Sequence, residues 1–92
     1  MIRSFRCPET RAIFDRIGSK KFRAIEGAAY RRLERLNAAA TLADLSAIRG
    51  NRLEALKGER KGQHSIRIND QYRICFFWGP TGPENVEIVD DH

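Results

Sequence analysis

Cysteine is scarce in this sequence: its 92 residues include two, Cys7 and Cys75. Neither belongs to a CxxC pair and the two histidines are far apart, so the ligand spacing of a structural zinc site is lacking. The charged start Met1–Phe5 has no apolar stretch of the kind found in signal peptides, so we expect reduced thiols and a cytoplasmic protein. The sequence predicts no disulfide framework, no metal ion and no other cofactor.

Long apolar runs are lacking as well. No stretch approaches the ~20 apolar residues needed to cross a membrane, and the chain has no repeat, low-complexity tract or linker. A chain of 92 residues is the length of one small domain with a thin core. We therefore expect a single domain over residues 1–92 that has no membrane partner.

Basic residues are missing after Arg73, where four acidic residues follow. Residues 1–36 instead carry ten Lys or Arg against four acids, and residues 49–73 carry seven against three, within a net charge of +5. A basic body suits a polyanion such as nucleic acid. A merely solvated basic surface is an equally open interpretation.

Hydrophobic periodicity predicts helices first and strands afterwards. We expect a short strand at 2–5, helices at 8–17 and about 20–37, a capped turn at 41–44, and strands at 53–56, 63–68, 72–78 and 85–89. In the longer helix, one stripe is expected to be buried, formed by Phe22, Ile25, Ala29, Leu33 and Leu36. The order predicts an α+β fold, with two N-terminal helices packed on one face of a small twisted antiparallel sheet.

Arg73 stands out because it interrupts the most apolar predicted strand. An unpaired buried guanidinium is costly, so Arg73 needs a carboxylate partner or an opening to solvent. Asp90 and Asp91 are candidate partners if the last strand lies beside this one. Two interpretations stay open: a structural Arg–Asp bridge, or an arginine directed at a phosphate.

The last predicted strand ends in polar residues. Strict alternation places Asp90 and His92 on the same side as Val86 and Ile88, with Asp91 opposite. These side chains either form a solvated tail or line a cleft at the rim of the core. Because the strand is apolar up to residue 89, we expect them to be held close to the sheet.

A third polar group lies around the strand at 53–56. Glu54 and Lys57 precede a basic loop flanked by Gly58 and Gly62, whose glycines permit close approach of a ligand to the backbone. His64 shares the side of the neighbouring isoleucines and is interpreted as a sheet residue, not as a ligand or base.

Together these residue types suffice for metal-free RNA cleavage. His92 with Glu54 or an aspartate can transfer protons, while Arg73 and Lys57 can neutralise the phosphate.

The whole chain resembles the HigB-like toxins of the RelE/ParE superfamily, the plasmid-maintenance killer proteins. The resemblance is carried by the opening at 2–5, by Asn51–Gly58, by Gly62–Phe76, and by the closing Val86–Asp90 with His92.

The resemblance implies a compact RelE-like fold and a toxin that cleaves mRNA in the ribosomal A site. It further implies a helix-turn-helix antitoxin of the HigA type, which neutralises the toxin and brings it to operator DNA only within their complex. On this resemblance, the family's functional positions fall on Lys57, Arg73, Asp90 and His92. We add Glu54 and Asp91 to the predicted site, and we expect RNA and ribosome contacts from Arg49, Arg52, Arg60, Lys61 and Arg67.

Two positions depart from the family pattern. Some members have histidine where this chain has Glu54, while others share the glutamate. The family typically closes with Asp-Tyr-His, whereas this chain reads Asp90-Asp91-His92. A tyrosine could stack on a base, and Asp91 cannot. We therefore expect Asp91 to weaken the toxin, whether it is natural or a detoxifying substitution.

Two other functions stay open. A ParE-like toxin would act on DNA gyrase without a nuclease site, and the Asp/His ending with Lys57 and Arg73 favours the nuclease over it. A non-catalytic RNA-binding module such as a double-stranded RNA domain would close with a basic helix, whereas this chain closes with an apolar strand and acids.

Overall fold

The computed structural model describes residues 1–90, in which helices precede an antiparallel sheet. The elements are α1 (Pro8–Phe14), α2 (Glu26–Ala38), α3 (Leu42–Ser46), β1 (Glu54–Ala55), β2 (Gln63–Arg67), β3 (Tyr72–Gly79) and β4 (Gly82–Asp90). Short 3-10 turns lie at Arg23–Ile25, Arg49–Asn51 and Gly58–Arg60. Over these 90 residues, no helix has the length and apolar character to cross a membrane.

The first helix begins where the sequence predicts but ends earlier. Pro8 occupies the first turn, where its missing N–H costs nothing. The predicted end at Ile17 is wrong because Arg16 adopts a φ of 63°. The amides of Ile17 and Gly18 then both donate to the carbonyl of Ala12, at 2.9 and 3.1 Å. This closure turns the chain outward before α2.

The second helix begins later than predicted, at Glu26. The hydroxyl of Ser19 accepts a hydrogen bond from the Phe22 amide at 3.3 Å, and the Ser19 amide donates to the Glu26 carboxylate at 2.6 Å. Such side-chain bonds compete with helical pairing, and residues 20–25 form turns instead. The predicted stripe is confirmed, with Ile25 partly buried and the other members fully buried: Phe22, Ala29, Leu33 and Leu36.

The third helix is the predicted capped turn. The Asp44 amide donates to the Thr41 hydroxyl at 3.2 Å, and the Thr41 amide donates to the Asp44 carboxylate at 3.1 Å. This reciprocal pair satisfies two amides that would otherwise lack partners at the helix start.

The four strands pair in the order β1-β2-β3-β4, all antiparallel. As predicted for the most apolar segment, β3 lies between two neighbours. The strand predicted at 53–56 is reduced to two residues, and β4 begins at Gly82 because Gly79 pairs with Gly82 across a two-residue turn.

The strand predicted at 2–5 is present only as one parallel bridge between Phe5 and Val86. The Val86 amide donates to the Ser4 carbonyl at 3.0 Å, and the Arg6 amide donates to the Val86 carbonyl at 3.0 Å. The N-terminal segment is therefore attached along β4.

The core lies between the sheet and the helices. Alternate residues of β2, β3 and β4 point toward α1 and α2, and this side is called the helix face. Its buried members are Ile66, Ile74, Phe76, Val86 and Ile88, which pack with Ile13, Ala29, Leu33 and Leu36. The α+β prediction, with two N-terminal helices on one face of the sheet, is confirmed.

Candidate functional site

The opposite side of the sheet carries the polar strand residues and is called the site face. Across neighbouring strands, Glu54 pairs with Ser65, and Ser65 pairs with Cys75, which pairs in turn with Glu87. Arg67 pairs with Arg73 in the same way. Partners in register share a face of a sheet. The alternation that buries the isoleucines therefore places these polar side chains together on the other side.

Arg73 is held by several oxygens on this face. Its Nε donates to the Ser65 hydroxyl at 2.7 Å, and its second terminal nitrogen donates to the Arg52 carbonyl at 2.8 Å. The same nitrogen lies 4.0 Å from a carboxylate oxygen of Glu54. The Arg73 side chain is 11% exposed, so these bonds offset the cost of burying its charge.

The partner of Arg73 therefore differs from the predicted one. Asp90 pairs in register with Tyr72, whereas Arg73 pairs with Val89, so Asp90 lies on the other side of the sheet. Its carboxylate accepts a hydrogen bond from the Gln71 side chain at 3.0 Å. Asp90 as the partner of Arg73 is therefore wrong, while its place in the reaction stays a prediction. The other predicted residues of the ending, Asp91 and His92, lie outside the described residues.

The backbone of Arg52 has a specific part in this arrangement. Arg52 adopts the left-handed conformation, with φ 43° and ψ 55°. Non-glycine residues rarely adopt it, and doing so stores strain. Here it ends the preceding 3-10 turn and places the carbonyl against Arg73. The Arg52 residue itself remains exposed.

Glu54 and Lys57 lie on the short edge segment beside β2. The Glu54 side chain is 58% exposed, so its carboxylate reaches solvent while approaching Arg73. Lys57 is exposed and precedes the 3-10 turn at Gly58–Arg60. The structure thus brings Glu54 and Arg73 together and places Lys57 at the adjoining edge.

The predicted basic contacts divide into two groups. Arg67 forms an ion pair with Asp70, and Arg60 contacts Glu87 at 3.3 Å and the Gln63 side chain at 3.2 Å. The remaining predicted cations are exposed: Arg49, Arg52 and Lys61. Glu87, which also contacts Arg6 at 3.4 Å, fixes the basic loop to β4.

A second arginine cluster joins α2 to the site. The Arg32 Nε donates to the Arg67 carbonyl at 2.9 Å. Burial lowers the pKa of Arg32, and the nearby charges of Arg35, Arg31 and Arg67 lower the pKa further. Such a concentration of positive charge favours binding of an anion. Helical spacing predicts that these side chains avoid the core, but not that they meet β2.

Sequence reasoning missed Ser65, the fully buried acceptor for Arg73. The alternation of the strand showed in the sequence that Ser65 lies on the same side as Arg67. However, the register that places it diagonally from Arg73 was not. Within residues 1–90, no cluster of three or more His, Cys, Asp or Glu could hold a metal ion.

His64 lies in β2 as predicted and stacks on Phe76, with ring centroids 6.3 Å apart. Its register partner is Ala55, next to Glu54. The imidazole therefore belongs to the helix face, not to the polar cluster around Arg73.

Comparison with known proteins relates the chain to a toxin family and to one of its relatives. A family model described as HigB-like toxin, a RelE-like toxin of the type II toxin-antitoxin system HigB, matches residues 13–92. Toxin HigB-1 of Vibrio cholerae serotype O1 (strain ATCC 39315 / El Tor Inaba N16961) is 51% identical over 55 residues. That alignment covers 60% of this chain and 58% of the length of the relative.

Proposed function

The chain belongs to the HigB-like toxin family, the RelE-like toxins of type II toxin-antitoxin systems, and from this premise we propose that it cleaves mRNA in the ribosomal A site. The observation that carries the proposal is the constrained Arg73 guanidinium beside an exposed carboxylate on a basic sheet face. Cleavage of this kind stops translation, which accounts for toxicity.

The proposed reaction is attack of a ribose 2′-OH on the adjacent phosphate. The 2′-oxygen forms a bond to phosphorus and loses its proton, and the bond to the 5′-oxygen breaks as that oxygen gains a proton. We assign stabilisation of the phosphorane charge to Arg73, because a fixed cation stabilises charge that develops in the transition state. Lys57 at the adjoining edge supplies a second positive charge.

Proton transfer is assigned to the carboxylates and the imidazole. Glu54 is exposed and lies 4.0 Å from the Arg73 guanidinium, a position from which it can accept the 2′-OH proton. The proposal keeps the sequence-based assignment of His92 as the second proton-transfer group, with Asp90 and Asp91 as further candidates from the sequence. None of these steps requires a metal ion.

The proposed partners follow from family membership. We expect a HigA-like helix-turn-helix antitoxin, the ribosome with its mRNA, and operator DNA reached only through the toxin-antitoxin complex. The exposed cations Arg49, Arg52 and Lys61 are proposed RNA contacts, and Arg60 and Arg67 join them as their carboxylate pairs open. With these partners, the proposed location is the cytoplasm.

In vitro translation followed by primer extension tests the proposal. Addition of the protein is expected to cut the message within codons, and Arg73→Ala is expected to lower the rate by about 10²–10³-fold. Arg73→Lys should recover part of this loss, because lysine keeps the charge but not the planar fork. Arg3→Ala, an exposed arginine outside the site, serves as the control. Intact mRNA with loss of DNA supercoiling would instead identify a ParE-like gyrase toxin.

A further inference from the structure

A groove between the end of α1 and the start of α2 lies away from the site face. One part of it is a cavity of about 260 Å³. The lining residues include buried Ile13, exposed Ile17, and the partly buried Gly18 and Tyr30. A second depression of about 490 Å³ continues from Ile17 and Gly18 toward Arg23. The two together form one continuous surface, called here the α1–α2 groove.

The groove has an exposed apolar side chain that does not pack into the core. Ile17 is 79% exposed, more than any other large hydrophobic residue of the described chain. It is held outward by the turn at Arg16, whose φ of 63° is strained for a residue with a side chain. Strain of this kind often marks a surface that binds something. The Arg16 guanidinium also lies 4.1 Å from the centre of the Tyr30 ring, which fixes one wall.

The charge around the groove is strongly positive. Residues 16–31 contain five basic side chains and one acidic side chain, Glu26. The Glu26 carboxylate accepts from the Ser19 amide at 2.6 Å, and the nearby Glu9 carboxylate accepts from the Ser19 hydroxyl. Both carboxylates are thus engaged inside the turn. Exposed cations remain around the apolar centre: Arg16, Lys20, Lys21, Arg23 and Arg31.

We propose that the α1–α2 groove docks an acidic segment of a protein partner that inserts an apolar side chain beside Ile17. An apolar centre with a charged rim is typical of protein interfaces, and the cations select an acidic segment. We assign this segment to the antitoxin, an assignment that rests on the proposed function. Because α1 and α2 cover the helix face, an occupied groove leaves Arg73 uncovered.

Isothermal titration calorimetry with a purified HigA-like antitoxin tests the proposal. Ile17→Ser is expected to weaken binding at least ~10-fold, because an aliphatic contact is lost. Arg23→Glu should weaken binding about 3- to 10-fold, by an amount that shrinks in high salt. Ile48→Ser and Arg3→Glu are the matched controls, since both residues are exposed and lie outside the groove. Thermal unfolding of each variant verifies that the fold is retained.

Several outcomes would overturn the groove as an antitoxin surface. One is unchanged affinity in both groove variants, and another is no binding of the antitoxin by the wild-type chain. A third is that the groove variants lose only their binding to a single-stranded RNA of about 20 nucleotides. Self-association through Ile17, detected by light scattering, would assign the groove to a second copy and also contradict it. Cleavage of message by free wild-type and Ile17→Ser protein separates the two proposals. Equal cleavage with unchanged antitoxin affinity contradicts the groove alone, whereas weakened affinity without any cleavage contradicts the nuclease alone.

Discussion

Both faces of the sheet are largely shielded from solvent, but the contacts that shield them differ. On the helix face, Ile74 and Phe76 are 0% exposed and pack against the helices. On the site face, Ser65 is 0% exposed and the Arg73 side chain is 11% exposed. The helix face excludes water with apolar surface, and the site face does so with hydrogen bonds and ion pairs.

This difference separates stability from function along the same strands. Apolar burial on the helix face supplies most of the folding free energy. The site face instead contains charges whose burial gives little net stability, because desolvation offsets the attraction between partners. This small net contribution to stability is compatible with the proposed role of Arg73 at a phosphate. Substitutions on the helix face should therefore lower stability most, whereas those on the site face should lower stability less and also lower cleavage.

The largest expected effect is on the helix face. Phe76→Ala should lower the free energy of unfolding by about 3–5 kcal/mol, because it removes a fully buried ring and leaves a cavity. Urea titration followed by the fluorescence of Trp78 measures the loss. Phe77→Ala is the matched control on the site face, where the ring is partly exposed, and its loss should be clearly smaller. Equal losses would remove the distinction between the two faces.

The next effect is on the site face, at Ser65. Ser65→Ala removes the acceptor of the Arg73 Nε bond and should lower the free energy of unfolding by about 1–3 kcal/mol. We also expect mRNA cleavage to fall about tenfold, because Arg73 loses its fixed orientation. The cleavage loss should disappear when Arg73 is already alanine, which a double-mutant cycle detects. The same loss in both backgrounds would show that Ser65 does not position Arg73.

A gain of function is expected at Asp91, the position where the resembling family has tyrosine. Asp91→Tyr should increase mRNA cleavage about 5- to 150-fold, since stacking on a base contributes about 1–3 kcal/mol. Growth inhibition without antitoxin should rise with it. Asp91→Ala is the control, because it removes the negative charge without adding a ring. A revertant no more inhibitory than the present chain would contradict attenuation by Asp91.

The helix face could be predicted from sequence because alternation and helical spacing report burial directly. The stripe of α2 and the apolar row of β3 are both confirmed. The end of α1 and the start of α2 could not be predicted, since they depend on the backbone conformation of Arg16 and on local bonds such as those of Ser19 with Phe22 and Glu26. Helical periodicity carries no information about such side-chain contacts.

The site face could be predicted only in its residue types. Arg73 and Glu54 both stood out in the sequence, but their meeting depends on two registers, β1 with β2 and β2 with β3. A shift of one residue moves a side chain to the opposite face. Alternation correctly placed Asp90 on the side of Ile88, but Asp90 was also a candidate partner of Arg73, and only the register with β3 shows that Arg73 faces the other side.

The smallest expected effect is in the helical layer, at Thr41. Thr41→Ala removes the hydroxyl that accepts from the Asp44 amide at 3.2 Å, so the free energy of unfolding should fall by about 1 kcal/mol. Cleavage per folded molecule should not change, because α3 contributes no side chain to the Arg73 cluster. Thr81→Ala in the exposed β3–β4 turn is the control and should leave both quantities unchanged. A drop in cleavage at temperatures where Thr41→Ala is fully folded would mean that the helical layer also governs the site face, and the separation of stability from function would then fail.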